Sequence, residues 1–218
     1  MRPATRPPEG DDTLSLAMLV DLYELTMAQA YHAAGPHETA TFDLFVRDLP
    51  AERPFMLSAG LGPLLETLEE LVFGPDDIAY LASTGIFNDA FLAHLEELEF
   101  TGDVDAVPEG TVVFPDEPIL RVSAPMIEAQ LLETLVMNQI HLQTLLATKA
   151  ARVVLAAGER QVVDFGVRRM HGIDAGLKGA RAYWLAGVAA TSNVLAGKRY
   201  GIPVSGTMAH SFVQAHRD

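Results

Sequence analysis

Between Leu14 and Tyr31 the apolar residues Leu14, Leu16, Met18, Leu19, Leu22, Leu25 and Met27 fall mostly at helical spacings, which predicts a helix of about five turns stopped by Gly35-Pro36. The run ATFDLFVRDLP then alternates as a strand does, with Phe42, Leu44 and Val46 on one face and Pro50 closing it. Amphipathic spacing returns at Gly62–Phe73, Asp76–Leu81 and around Asn88–Leu98, predicting three more helices. From Phe100 to Val122 short extended pieces are broken by Gly102, Pro108, Gly110, Pro115 and Pro118, the pattern of a small antiparallel β unit. A long apolar helix is expected from Pro125 to Ala156, opened by a proline in its first turn and ended by Gly158.

Beyond that helix the pattern changes period. A strand at Gln161–Val167, a helix at Ile173–Ala186 and short strands at Ala190–Val194 and Pro203–Thr207 alternate as in a parallel α/β sheet or barrel. The fold class read from the pattern is α/β. Residues 1–12 carry three prolines and no periodicity and are expected to be a disordered leader. Residues 13–122 are expected to form an amino-terminal α/β domain, and residues 123–218 the first part of an incomplete barrel.

Composition narrows the chemistry more than the fold. With 49% hydrophobic residues in 218, the chain has ample material for a core. Zero cysteines exclude disulfides, thiolate catalysis and Cys-ligated zinc or iron–sulfur clusters, so a redox role is not expected. No apolar run approaches the roughly 18 residues of a membrane helix, and the polar, Pro-rich start is unlike a secretory signal. The expected location is the cytoplasm, with no membrane partner. The net charge of −14 argues against nucleic acid as a partner, yet it hides a polarity. Residues 1–148 hold 5 of the 15 Lys and Arg and 25 of the 29 Asp and Glu, a balance of −20, whereas residues 149–218 balance at +6.

The basic tail contains VVDFGVRRMHG and IPVSGTMAH, two strand ends that pass into small, polar and basic residues. In α/β proteins ligands bind outside the carboxyl ends of parallel strands, and guanidinium and backbone N–H groups converging on one edge suit a polyphosphate. Gly166 lets backbone come close to a ligand. Arg168 and Arg169 are adjacent, so on an extended chain they point to opposite sides and at most one faces an anion directly. Read from the residues alone, Thr207 is a β-branched strand residue, Tyr23 a core aromatic and His210 a hydrogen-bonding group. Lys149, Lys178 and Arg181 are weaker candidates on helices, and His171 with Asp174 gives only two of the ligands a metal needs. No G-x-x-x-x-G-K-[ST], G-x-G-x-x-G or H-E-x-x-H is present, which argues against Walker-type ATPases, Rossmann dehydrogenases and zincins.

Four segments in order resemble the nicotinate phosphoribosyltransferase family: LVDLYELTMAQAYH, TFDLFVRDLP, the stretch from Glu117 to Val153, and the tail with VVDFGVRRMHG and GTMAHS. The resemblance implies two domains, one of them an incomplete α/β barrel, and synthesis of nicotinate mononucleotide and pyrophosphate from nicotinate and phosphoribosyl pyrophosphate. It implies ATP as co-substrate, cleaved through phosphorylation of His210. It places nicotinate against Thr207 and Tyr23, the latter often across a dimer interface, and sets Arg168 and Arg169 at anionic groups. A homodimer follows from the same likeness. The reaction needs no acid–base pair, because the pyridine nitrogen is already a nucleophile and pyrophosphate departs best when cations, Mg2+ included, neutralise it.

Two other readings stand beside this one. The first is a sibling phosphoribosyltransferase for nicotinamide or quinolinate, against which DLYELTM and GTMAHS favour nicotinate. The second is a non-catalytic binding or assembly subunit, since the family's later phosphate-binding segments have no counterpart here. A sequence ending eight residues after His210 holds part of such a barrel. Its open edge and exposed apolar interior promote aggregation, so the chain is expected to be the amino-terminal part of a longer enzyme.

Overall fold

The computed structural model describes residues 14–35 and 38–216, so the expected leader lies outside the described residues. After a 3-10 turn at Leu16–Met18, helix α1 (Leu22–Ala34) begins behind Asp21. The single helix expected from Leu14 to Tyr31 is thus broken. Leu19 leaves helical geometry at φ −80° and ψ 67°, and Asp21, extended at φ −73° and ψ 141°, precedes the start of α1. Strand β1 (Thr39–Phe45) follows, then a two-residue strand β2 (Met56–Leu57) and helices α2 (Leu61–Glu69), α3 (Pro75–Ser83) and α4 (Asp89–Glu96). The start of α4 is fixed by Asn88, whose side-chain oxygen accepts from the Phe91 N–H at 2.9 Å.

The expected antiparallel unit resolves into β3 (Asp103–Ala106), β4 (Val112–Val113) and β5 (Pro118–Pro125), but it is not self-contained. Strand β5 is central, with β1 and β3 antiparallel on either side, while β4 pairs with β2. In β1, Ala40 and Leu44 pack against the core, whereas Phe42, expected on the same face, is exposed. The long helix is also interrupted. Helix α5 (Met126–Leu131) ends at Leu132, whose backbone at φ −89° and ψ −10° sets the angle to α6 (Glu133–Ala157). Gly158, with φ +61°, ends α6 in a conformation that L-residues rarely adopt.

The main core gathers Leu25 and Ala28 of α1, Leu64 and Leu68 of α2, Phe91 and Leu95 of α4, Leu120 and Val122 of β5 and Leu132, Leu135 and Ile140 around the start of α6. The far half of α6 does different work. Its Thr148 hydroxyl accepts from the Leu57 N–H at 2.8 Å, and Thr144 both accepts from the Ala59 N–H and donates to the Ala59 carbonyl. Two helical threonines at i, i+4 thereby satisfy backbone groups beside β2 that would otherwise be buried without partners.

The remainder builds a three-position parallel sheet. Strand β6 (Val163–Asp164) leads through a 3-10 turn (Val167–Arg169) to α7 (Ile173–Leu185), then β7 (Ala190–Thr191), α8 (Val194–Tyr200), a bridge at Val204 and α9 (His210–Ala215). Strand positions are those expected, but the strands are far shorter: two residues, two residues and one bridge. Helix α7 packs along α6, tying this unit to the rest.

Candidate active site

Parallel pairing decides where the site lies. Val163 pairs with Ala190 and Asp164 with Thr191 in β6 and β7, and Thr191 bridges in parallel to Val204. The ladder is carried by Ala189 N–H to the Val162 carbonyl at 2.8 Å, Ser192 N–H to Asp164 at 2.8 Å and Ser205 N–H to Thr191 at 3.0 Å. With all three segments running the same way, their carboxyl ends open on one edge. That edge receives Gly166–Arg169 after β6, Ser192 and Asn193 after β7, and the chain from Ser205 to His210 after the bridge. Arg168, Arg169, Thr207 and His210 therefore share one sheet edge, and all four are exposed.

The turn after β6 corrects one expectation. Arg168 and Arg169 do not lie on an extended chain, because Arg169 N–H bonds the Gly166 carbonyl at 2.8 Å and Met170 N–H bonds Val167 at 3.2 Å. Successive residues of a 3-10 turn are about a third of a turn apart, so adjacency no longer drives the two guanidinium groups to opposite faces. Gly176 of α7 faces this turn, where a Cβ would meet the Val167 side chain at 3.4 Å in ordinary van der Waals contact. His210 opens α9 behind Ala209, and Thr207 lies in the irregular stretch before it.

The weaker candidates are otherwise engaged. Arg181 forms a bidentate pair with Glu109, at 2.8 and 2.6 Å, and Glu109 also accepts the Gly60 N–H at 2.6 Å. Burial alone would raise the Glu109 carboxyl, but the Arg181 and Gly60 donors hold it below the usual carboxylate range. This pair joins the β3–β4 connection to α7. Lys178 bonds Asp174 at 2.7 Å one helical turn away, and Lys149 is exposed on α6.

Sequence reasoning missed the groups that hold the edge together. The Asp164 carboxylate accepts the Gly166 N–H at 2.7 Å and the Thr191 hydroxyl at 2.8 Å, and the Thr191 oxygen accepts the Asn193 N–H at 3.1 Å. Asn193 caps α8 through the Ala196 N–H and donates to the Gly176 carbonyl. The D-x-G spacing of Asp164 and Gly166 was the available signal, since an Asp side chain commonly bonds the backbone two residues on. Phe165, 45% exposed at the same edge, was also passed over.

Tyr23 sits at the start of α1, 44% exposed, with its hydroxyl donating to Glu133 at the start of α6, a bond that raises the phenol well above its ordinary pKa. Around Tyr23 the Thr134 hydroxyl serves both Asp21 and Glu24. Glu24 is fully buried with one carboxylate oxygen unpartnered, and burial pushes its carboxyl up.

The same organisation occurs in known proteins. The sequence model of the nicotinate phosphoribosyltransferase (NAPRTase) N-terminal domain matches residues 18–141, and that of the NAPRTase family matches residues 160–218. A nicotinate phosphoribosyltransferase of Mycobacterium tuberculosis is 58% identical over 199 residues, covering 91% of this chain and 43% of the relative. One from Bacillus subtilis is 48% identical over 209 residues, covering 95% and 42%. The crystal structure of human nicotinic acid phosphoribosyltransferase superimposes with a TM-score of 0.82 at 41% identity, over 89% of this chain and 40% of the human one. The chain thus spans less than half the length of these relatives. Matched along most of its length in sequence and in fold, it belongs to the nicotinate phosphoribosyltransferase family.

Proposed function

We propose that this chain carries the first part of a nicotinate phosphoribosyltransferase, in which the strand-end edge binds phosphoribosyl pyrophosphate and nicotinate and His210 accepts phosphate from ATP. The observation that carries the reading is the parallel pairing of β6, β7 and Val204, which opens the Arg168–Arg169 turn and the Thr207–His210 segment on one edge. The relatives named above act as nicotinate phosphoribosyltransferases by name, and the resemblance at DLYELTM and GTMAHS supports nicotinate over nicotinamide or quinolinate. Residues 13–122 then serve as the amino-terminal domain and residues 123–218 as the opening of the barrel. Among the described residues no helix is long and apolar enough to cross a membrane.

The pyridine nitrogen of nicotinate attacks the ribosyl carbon as its bond to the pyrophosphate oxygen breaks, and pyrophosphate leaves with the electron pair. Charge accumulates on the leaving group, where Arg168, Arg169 and strand-end N–H groups lower the barrier by neutralising it. The Thr207 hydroxyl donates to the nicotinate carboxylate. ATP transfers its γ-phosphoryl group to a neutral His210 nitrogen, ADP departs, and water later releases phosphate. Among the described residues no group of three or more His, Asp or Glu side chains is placed to hold a metal ion, so the described chain offers no Mg2+ cage of its own. Mg2+ normally keeps few protein ligands and is bound through substrate phosphates, which is how it enters this reading.

The family resemblance sets the Tyr23 ring against nicotinate across a dimer interface, and on this reading the enzyme is a homodimer. The test of the His210 assignment is labelling with γ-32P-ATP. Wild-type protein should acquire acid-labile, base-stable phosphate, and His210→Ala should acquire none and lose the ATP stimulation of synthesis. Equal labelling of the variant would remove His210 from the mechanism.

A further inference from the structure

Asp164 occupies a position for which the proposed chemistry supplies no role. It ends β6 beside the exposed Phe165 and the arginine turn, yet both carboxylate oxygens are engaged by the protein: one by the Gly166 N–H at 2.7 Å, the other by the Thr191 hydroxyl at 2.8 Å. Thr191 is buried and accepts the Asn193 N–H at 3.1 Å, and Asn193 donates to the Gly176 carbonyl of α7 at 3.2 Å. One chain of hydrogen bonds runs from the arginine turn through β7 into α7 and α8. On charge alone a carboxylate beside an anion site opposes the anion. Asp164 is thus unfavourable there unless the geometry it imposes outweighs its charge.

We propose that Asp164 is a positioning residue for anion binding: by holding the Gly166 N–H and the Thr191 hydroxyl together it fixes the Gly166–Met170 turn, so that Arg168 and Arg169 converge on a diphosphate. The inference rests on the reading that these arginines meet anionic groups, and deepens it. The bonds involved accept onto a charged oxygen, the stronger kind. Losing them frees the turn, and misplacement of a binding group by about 1 Å is enough to cost a large factor in function.

The test is calorimetric titration of inorganic pyrophosphate into the full chain, wild type and variant. Charge and position have opposite signs. As a mere nearby charge, Asp164 weakens pyrophosphate binding, and Asp164→Ala tightens it. As an anchor, its loss in Asp164→Ala weakens binding by about tenfold or more. Asp164→Asn, which removes the charge but keeps an acceptor for the Gly166 N–H, falls between, and Thr191→Val weakens binding in the same direction. Tighter or unchanged binding in Asp164→Ala overturns the proposal. Should that variant not fold, unchanged binding in both Asp164→Asn and Thr191→Val overturns it. Arg168→Ala and Arg169→Ala separate the two readings. If neither weakens binding, or the wild type binds no pyrophosphate, the arginine assignment fails and the inference with it. If either weakens binding while the Asp164 and Thr191 variants do not, only the positioning role fails.

Discussion

At the scale of single residues, Glu109 and Glu24 respond to pH in opposite directions. Glu109, held down by Arg181 and the Gly60 N–H, stabilises the fold above its unfolded pKa and loses that contribution as pH falls through its lower folded value. Glu24 is the reverse case. Burial raises its carboxyl above the unfolded value of about 4.3, so the folded protein keeps a proton that the unfolded chain releases. Stability contributed by Glu24 is therefore greatest below that pH and falls as pH rises towards the folded value. Glu24→Gln keeps the acceptor for Thr134 and removes the titration. The difference in melting temperature between Glu24→Gln and wild type should grow in the variant's favour from pH 4 to pH 8; a constant difference would show that Glu24 is not the group being titrated. Neither behaviour was legible in the sequence. Glu24 reads there as one acid in a helix, and its surroundings come from α5 and from Thr134 of α6, more than a hundred residues later.

At the scale of elements, local pattern and long-range pairing divide the account between them. Helix α7 lies within one residue of its expected bounds and α4, behind Asn88, within two, whereas the pattern gave no sign of the break at Leu132 before α6. Strand β2 had no local signal, because it is held by β4 and by Thr144 and Thr148 of α6. The strands of the parallel unit are shorter than their β-branched runs imply, since the Asp164–Gly166 bond turns the chain two residues into β6. The arginine turn was misread for the same reason: alternation holds only while the chain is extended. The third strand position is open to disruption by a single change in α8. A Cβ on Gly197 of α8 would lie 2.4 Å from a Val204 methyl and 3.1 Å from the Ile202 carbonyl. Gly197→Ala should cost about 1–3 kcal/mol, as overpacking does, and loosen the Val204 bridge. Urea unfolding measures the first, and amide exchange at Ser205, whose N–H bonds Thr191, measures the second. Unchanged stability and exchange would mean that α8 does not clamp this segment.

At the scale of the whole molecule, the acidic first two-thirds and basic last third correspond to a division of labour: a core assembled from α1 to α6, and a parallel unit whose edge gathers cationic groups. The helices of the parallel unit begin with exposed apolar side chains, Ile173 at 82% and Val194 at 73%. Family membership was legible because four separated segments kept their order, and the parallel strand ends because β-branched runs ended in Gly and Arg. The bond from Tyr23 to Glu133 was not, since nothing local to DLYELTM says which end of α6 it meets. The account stands or falls on the product the full chain makes. With radiolabelled nicotinate, nicotinamide or quinolinate, phosphoribosyl pyrophosphate and Mg2+, it predicts nicotinate mononucleotide from nicotinate, at a rate raised by ATP, and no comparable product from the other two pyridines. A preference for nicotinamide or quinolinate, or no mononucleotide from any of the three, would contradict it.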